Sequence, residues 1–438
     1  MPEPTVVDDP SPATPTRKGT FGLLFLIVLV DMMGFGIIIP LLPFYARTFE
    51  AGNVQVTLLL SVYALCQFVA APMLGSMSDR VGRRPILVFS QFGSATASII
   101  LGLATALQFE NATIGLGIIY LSRIIDGISG GNISAAQAYV SDVVPTESRA
   151  KYLGLLGAAF GIGFALGPGI GGVLGHFLGP AWPPFAAAAF ALTAGTLAYF
   201  RLPESLQKSA APHAGRQWSR SFALMRRPVL AQLVMVWFLS MFAFVTAEAI
   251  LPLFLADSFG FGELGVGLTF TLAGVIIIIV QGALIGPLKQ AIGEWWIAVI
   301  GPLLFTIGML LYGQAALTPV VWLLIVAVIF NAFGRSLQTP SLSTLVSRAA
   351  PEGDQGAAFG LFHGMGSLAR VFGPAAAGLL YNVSISYPFL LAAGLTTIAG
   401  GWMIGIRRHA HRTPPAETPQ GFEVESNAAS GPSPSGGG

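Results

Sequence analysis

An all-α membrane protein with twelve spanning helices, arranged as two related bundles of six, is the fold class this sequence predicts, and three observations predict it. Hydrophobic residues occupy 54% of the 438 positions and charged residues only 10%, against roughly 25% charged in an ordinary soluble domain; mean hydropathy is +0.73. Apolar stretches of about 20 residues, long enough to cross a hydrocarbon core of ~30 Å, recur twelve times. Part of the chain also repeats. Gly167-Pro168 returns as Gly373-Pro374, and the same displacement carries Pro145 to Pro351, Gly154 to Gly360 and Gly172 to Gly378.

The spans fall near 21–44, 56–75, 86–107, 114–141, 151–177 and 183–201, then near 229–255, 264–287, 296–316, 319–342, 356–381 and 386–406. They divide the chain into a tail (1–19), a first bundle (20–201), a linker (202–228), a second bundle (229–406) and a second tail (407–438). Both tails are rich in Pro, Ser, Thr and Gly and too poor in apolar groups to form a core, so they are expected to be disordered. The linker is polar and basic, carrying Lys208, Arg216, Arg220, Arg226 and Arg227. Asp8 and Asp9 precede the first span and no small-residue cleavage site follows it, which predicts a retained helix rather than a secretory signal. Because six spans separate equivalent positions, the halves share one orientation and an axis along the membrane normal relates them. The natural substrate site is their seam. Nearly all Lys and Arg fall in the tails, the linker and the loops on one side, with Arg47 alone on the other. Cytoplasmic loops hold the excess of positive charge, so both termini are expected in the cytoplasm, and a multi-pass protein of a bacterial inner (cell) membrane is the expected setting.

Composition also excludes. A net charge of +2, dispersed over short loops, gives nucleic acid nothing to bind. The one cysteine, Cys66, lies in an apolar stretch, leaving neither a disulfide framework nor a thiolate metal site. No metal-ligand cluster, no nucleophile-and-base constellation, no phosphate-binding Gly-Lys loop and no signalling domain can be read, which sets an embedded enzyme or receptor behind a transporter. No cofactor or metal is expected. Without a phosphate loop, uphill transport must draw on an ion gradient, here taken as protons. The expected partners are a small-molecule substrate, protons and the bilayer, and a monomer suffices. Asn111-Ala-Thr113 and Asn382-Val-Ser384 fit the glycosylation pattern in outer loops.

Between the second and third spans stand Gly75, Asp79, Arg80, Gly82, Arg83 and Arg84. Glycine permits a tight reversal, while a carboxylate and three guanidiniums can bridge to helix ends and to Asp142 after the fourth span; a solvated positive loop is the plainer reading. In the second half Gly286 and Gly293 keep the glycine spacing without the Asp-Arg pair. In the fifth span Gly154, Gly163, Gly167, Pro168, Gly171 and Gly172 let helices approach closely and bend one of them.

On these residues the chain resembles the major facilitator superfamily from Phe21 to Ile406, and the stretch 75–84 is similar to that family's signature loop. The first span, with Asp31, Gly34, Gly36, Pro40 and Pro43, resembles the tetracycline-resistance-like branch of the drug:proton antiporters, as does Gln355-Gly356 at the start of the eleventh. The fifth-span glycines resemble the pattern associated with antiporters. The resemblance implies the major facilitator fold, export of a drug-like compound against protons, and a role in proton coupling for an acid on the first span and an arginine on the fourth. Asp126 stands where that family more often has a neutral residue.

Charges inside the spans carry the chemistry. Asp31, Asp126, Glu248, Arg123, Arg335 and Arg370 lie in stretches meant for hydrocarbon; unpaired, the six would cost on the order of 15–20 kcal/mol. Asp31 lies about 15 Å into its helix and Arg123 about 13 Å into its own from the opposite face, so both reach the midplane. Asp126 is one turn from Arg123 and available as an i, i+3 partner. Arg123 can therefore exchange between two carboxylates, with protonation of Asp31 biasing one conformation; a fixed salt bridge between the first and fourth helices is the alternative. Glu248 is expected near the outer end of the seventh span, as a rim residue or as a substrate-binding or proton site able to attract cations. Arg335 and Arg370 are candidates for an anionic substrate group or an interhelical pair, and His363 for a proton relay or a packing position. Gln67, Asn132, Gln137, Gln281, Asn331 and Gln338 complete a cavity able to orient a ligand that is part polar and part apolar. Proton-coupled antiport of a small amphipathic compound is the leading expectation, with a metabolite symporter or facilitator of the same fold as the alternative.

Overall fold

The structure, a computed structural model, describes residues 18–107, 109–206, 223–351 and 353–410. Of the tails expected to be disordered at 1–19 and 407–438, residues 18–19 and 407–410 are instead helical, each extending the neighbouring span by about a turn or less, while 1–17, 411–438 and linker residues 207–222 lie outside the described residues. Among the described residues the chain forms helices and no strand. The first bundle contains α1 (Thr20–Arg47), α2 (Asn53–Val81), α3 (Arg83–Leu107), α4 (Ala112–Val143), α5 (Thr146–Leu178) and α6 (Trp182–Arg201). The second contains α7 (Pro228–Phe259), α8 (Glu263–Ile292), α9 (Glu294–Leu317), α10 (Val321–Ala349), α11 (Gln355–Val383) and α12 (Tyr387–Ala410). Eleven of these are individually long and apolar enough to cross a membrane; α11, which carries Arg370 and His363, is the twelfth.

Three elements depart from the regular helix. Pro40 leads α1 through a 3₁₀ turn at Ile39–Leu41, α4 breaks at the turn Gly130, Gly131 and Asn132, and α8 holds a π-helical segment at Val280–Leu284. The signature stretch is less a loop than expected. Helix α2 runs on to Val81, and the reversal is made at Gly82 alone, whose φ of +121° is open to glycine. Gly75 is mid-helix, with its α-carbon facing Ser134 of α4.

Sequence symmetry becomes packing symmetry. Helix α1 packs on α5 as α7 packs on α11, and α3 on α6 as α9 on α12. The halves meet along two equivalent seams, α5 with α8 and α11 with α2. The repeated glycines Gly172 and Gly378 sit in them. A Cβ on Gly172 would fall 3.1 Å from Gly267 Cα, and one on Gly378 would fall 3.0 Å from Val54 Cα.

The fifth-span glycines sort by face. Gly163, Gly167 and Gly171 lie four residues apart on the side of α5 that meets α1, where an added Cβ would come within 2.6–2.8 Å of the carbonyl oxygens of Leu29, Met33 and Ile37. Pro168 packs on Gly36. Gly154 has nothing within 4 Å and serves neither contact. Gly167→Ala is therefore expected to cost about 1–3 kcal/mol through overpacking, whereas Gly154→Ala gains about 0.5–1 kcal/mol from helix propensity; thermal unfolding in one detergent separates the two.

The cores show where the bundle is closed. One apolar cluster draws on both halves at the Arg47 end, including Tyr45 and Leu59 with Leu253, Phe254 and Tyr381. Toward the other end each half has a core of its own, one around Leu24, Leu87 and Tyr139 and one around Trp237, Leu345 and Phe362. Gly157 and Gly161 of α5, Gly282 and Gly286 of α8, and Gly356 and Gly364 of α11 all face open space. The halves are joined at the Arg47 end and parted at the end where α1 begins.

Candidate functional site

Polar bonds between the halves lie at the joined end. Arg47 of α1 places Nη1 2.6 Å from Asp257 Oδ1 of α7, its Nη2 donates to Asp257 Oδ2 at 2.9 Å, and the Tyr381 hydroxyl donates to the same carboxylate at 2.9 Å. Asn53 Nδ2 donates to Asn382 Oδ1 at 3.1 Å. Sequence patterns mark none of these pairings, and Asn382 stands out there only as a glycosylation acceptor; the structure gives it a latch partner, while Asn111 caps α4 by accepting from the Thr113 and Ile114 amides. Solvent exposes the Arg47 pair, which limits its worth to about 1 kcal/mol. Arg47→Gln is thus expected to raise the population opened at this end roughly fivefold, read as faster labelling of a Thr57→Cys probe in a Cys66→Ser background.

At the parted end each half ties its own loop. Arg83 pairs with Asp79, its Nε lies 3.1 Å from Asp142 Oδ2, and Nη1 donates to Ser78 Oγ at 2.7 Å. Glu204, at the start of the linker, accepts from the Arg83 and Arg84 amides at 2.8 and 3.2 Å. It caps the start of α3, where backbone N–H groups favour a carboxylate, and its oxygens occupy the space a side chain on Gly82 would need. Arg84 donates to the Tyr199 carbonyl and lies 5.6 Å over the Tyr199 ring. Arg80 is exposed. In the second half Glu294 gathers Lys289 at 3.3 Å and Arg348 at 2.9 Å.

Within the first bundle Asp31 and Asp126 line one cavity, bounded also by Ser94, Ser98, Phe35 and Tyr63. Arg123, 1% exposed, places Nη1 3.2 Å from Asp126 Oδ2 and donates from Nη2 to Ser122 Oγ at 3.0 Å. The expected i, i+3 pair is present. Its exchange partner is not in contact: among the described residues no ion pair joins Arg123 to Asp31, because Gln91 Nε2 of α3 donates to Asp31 Oδ1 at 3.3 Å and Ser122 holds the guanidinium on α4. Gln91 is fully buried. Asn132 is buried beside Asp31 at the break in α4. Gln67 bridges α2 to that break, donating to the Gly130 carbonyl at 2.9 Å and to the Tyr63 hydroxyl at 3.1 Å.

The second bundle holds the other charges. Glu248, Asn331 and Arg335 line a cavity with Phe164, Phe244, Phe270 and Tyr312. Glu248 is not at the outer rim. Helix α7 runs to Phe259, so Glu248 lies eleven residues, about 17 Å, from its end. Among the described residues Arg335 finds no carboxylate within 4 Å: it lies 4.2 Å over the Phe244 ring and 5.2 Å over Trp237, and Nη2 donates to Met241 Sδ at 3.1 Å. Arg370 is exposed although it sits midway along α11, within electrostatic reach of Glu248 and of Tyr63 across the seam.

Other expected cavity residues are placed elsewhere. Gln338 is buried and donates to Ser240 Oγ, tying α10 to α7. Gln137 and Gln281 are exposed and make no side-chain hydrogen bond among the described residues. His363 is exposed and packs against Phe359 and Phe362, and among the described residues no ion pair joins it to an acid. Sequence reasoning missed an aromatic link. The Phe35 ring lies 5.7 Å from Tyr63 and 6.4 Å from Phe164, and Phe35 and Tyr63 line the Asp31 cavity while Phe164 lines the Arg335 cavity. Only the adjacency of Phe35 to the Asp31 motif hinted at it.

Comparison with known proteins gives this geometry a context. The family model described as Major Facilitator Superfamily matches residues 24–315 and 250–432. The chain is 30% identical over 394 residues to multidrug resistance protein 2 of Bacillus subtilis, covering 88% of this chain and 94% of that one. It is 30% identical over 376 residues to the class H tetracycline resistance protein of Pasteurella multocida, covering 83% and 90%. Among solved structures, the human organic anion transporter MFSD10 is similar at a TM-score of 0.65 and 26% identity, over 89% of this chain and all of that one.

Proposed function

This chain belongs to the Major Facilitator Superfamily, and from that premise we propose that it is a proton-coupled antiporter exporting small amphipathic compounds by alternating access of its two halves. The observation that carries the reading is the carboxylate pair of the first bundle, Asp31 and Asp126, sharing one cavity with a single buried arginine beside it. One guanidinium cannot neutralise two carboxylates in hydrocarbon, so the cluster has room for a proton. Relatives named for multidrug and tetracycline resistance support the choice of cargo.

The coupling step follows from the connections. Arg123 answers Asp126, so an ionised Asp31 faces a second carboxylate in the same cavity without a guanidinium of its own; a proton on Asp31 ends that repulsion. Asp31 rides on α1, which the glycines of α5 hold by backbone contact, and α5 forms the seam with α8. A change of charge at Asp31 therefore acts on the element that opens and closes the halves. With the basic loops and both termini in the cytoplasm, the present state opens to the cytoplasm, where cargo is loaded, and the Arg47 latch closes the outer end. The protein then resides in the cell membrane and needs no cofactor beyond the proton gradient.

In proteoliposomes an imposed pH gradient should drive uphill accumulation of a fluorescent amphipathic substrate, and a proton ionophore should abolish it. Substrate flux that runs only downhill and ignores the gradient would instead establish a facilitator.

A further inference from the structure

Arg335 is held in an unusual way for a charge inside a membrane. Its guanidinium lies over Phe244 and Trp237, and Nη2 meets only the sulfur of Met241. Nη1 is buried with no hydrogen-bond partner among the described residues. Every contacting group is neutral, while the aromatic faces hold the guanidinium in place, in the manner of cation–π packing. Arg370, midway along α11 and open to the interior, likewise has no ion pair among the described residues. Glu248 lies within electrostatic reach of both but within ion-pair distance of neither. This wall thus carries two guanidiniums and one carboxylate, a surplus of one positive charge.

The acids of the first bundle do not supply the missing anion. Asp126 is committed to Arg123, Asp31 accepts from Gln91, and both line a different cavity, together with Phe35 and Tyr63. Apart from Glu248, Thr269 and Asn331, apolar and aromatic groups, Phe164, Leu251 and Phe270 among them, line the rest of the Arg335 cavity. Guanidinium is the side chain best suited to take a carboxylate or sulfonate through two parallel hydrogen bonds, and an uncompensated one in hydrocarbon favours an incoming anion.

We propose that the Arg335 and Arg370 wall binds the acidic group of an amphipathic organic anion whose apolar body lies against Phe164, Phe244 and Phe270, the substrate's acid supplying the negative charge that Glu248 alone leaves short. The proposal rests on the transport reading above and names its substrate class. Proton carrier and cargo headgroup then sit in opposite halves, so they exchange through the change of conformation and not by competing for one carboxylate.

Three probes with a common fluorophore test it on the full-length protein in detergent: dansylglycine (anion), dansylamide (neutral) and dansylcadaverine (cation). Dansylglycine should bind at least roughly tenfold tighter than the other two, the scale of a charge-assisted hydrogen bond. Arg335→Gln and Arg370→Gln should each lower its affinity by about the same factor and leave dansylamide within about twofold, which also controls for folding. Arg335→Lys should fall between, and Glu248→Gln should keep or raise dansylglycine affinity. Dansylcadaverine binding tightest and lost in Glu248→Gln, or all three binding alike, would overturn the proposal while leaving transport intact. Transport fails separately, if proteoliposomes carry none of the probes that bind.

Discussion

Asp31→Asn is expected to leave the protein folded and able to exchange substrate downhill, while abolishing accumulation driven by a pH gradient. Asparagine keeps an oxygen to accept the Gln91 hydrogen bond seen at 3.3 Å and removes only the group that changes charge. The effect is all or none in energetic terms. One proton exchanged per substrate across about one pH unit supports about a tenfold concentration ratio, ~1.4 kcal/mol, and a transporter without a titrating group at that site supports none. Accumulation in proteoliposomes, compared with counterflow in the same vesicles, measures the two activities side by side.

The second large effect is on stability. Arg123 is 1% exposed and its charged partner is Asp126. Arg123→Leu strands a carboxylate among apolar helices and is expected to cost about 3–5 kcal/mol, the usual penalty for breaking a buried pair from one side. Adding Asp126→Asn removes the stranded charge, so the double variant should recover most of that loss. The sum of the two single effects would then exceed the double effect by well over 1 kcal/mol, as expected for residues in direct contact. Unfolding temperatures of the four proteins in one detergent decide it, and an additive result would mean that the pair does not interact.

Much of the fold is legible in the sequence because hydrocarbon is an exacting solvent. Spans must be apolar for about 20 residues, so they announce themselves, and six charges inside them stand out. The Gly-Pro repeat announces the two halves, and its partners Gly172 and Gly378 occupy equivalent seams. Spacing along one helix is legible too, as with Arg123 and Asp126. Pairings between distant helices are not. Arg47 and Asp257 are 210 residues apart, and no local pattern links Glu204 to the amides of Arg83 and Arg84. The depth expected of Glu248 is too near the surface because four more residues of α7, ending at Phe259, remain helical beyond the expected end. The expected link of Asp31 to Arg123 gives way to Gln91, a polar residue of α3 that looks like any other in an amphipathic stretch. With 31 Phe in the chain, composition does not mark Phe35 and Phe164 as neighbours lining two adjoining cavities.

In the proposed antiport each half contributes a different part of the cycle: the first the carboxylates and the arginine that would respond to a proton, and the second the cavity of Glu248 and Arg335. The glycine contacts between α1 and α5, and the seam between α5 and α8, connect them. Alternating access then needs no chemistry beyond the loading of one carboxyl group.

Proton release on substrate binding tests this most directly. Candidate amphipathic compounds are added to weakly buffered detergent solutions of the wild type and of Asp31→Asn, and protons freed per substrate bound are counted. The account predicts release from the wild type and none from the variant. Binding without release, equal in both proteins, would contradict antiport at Asp31.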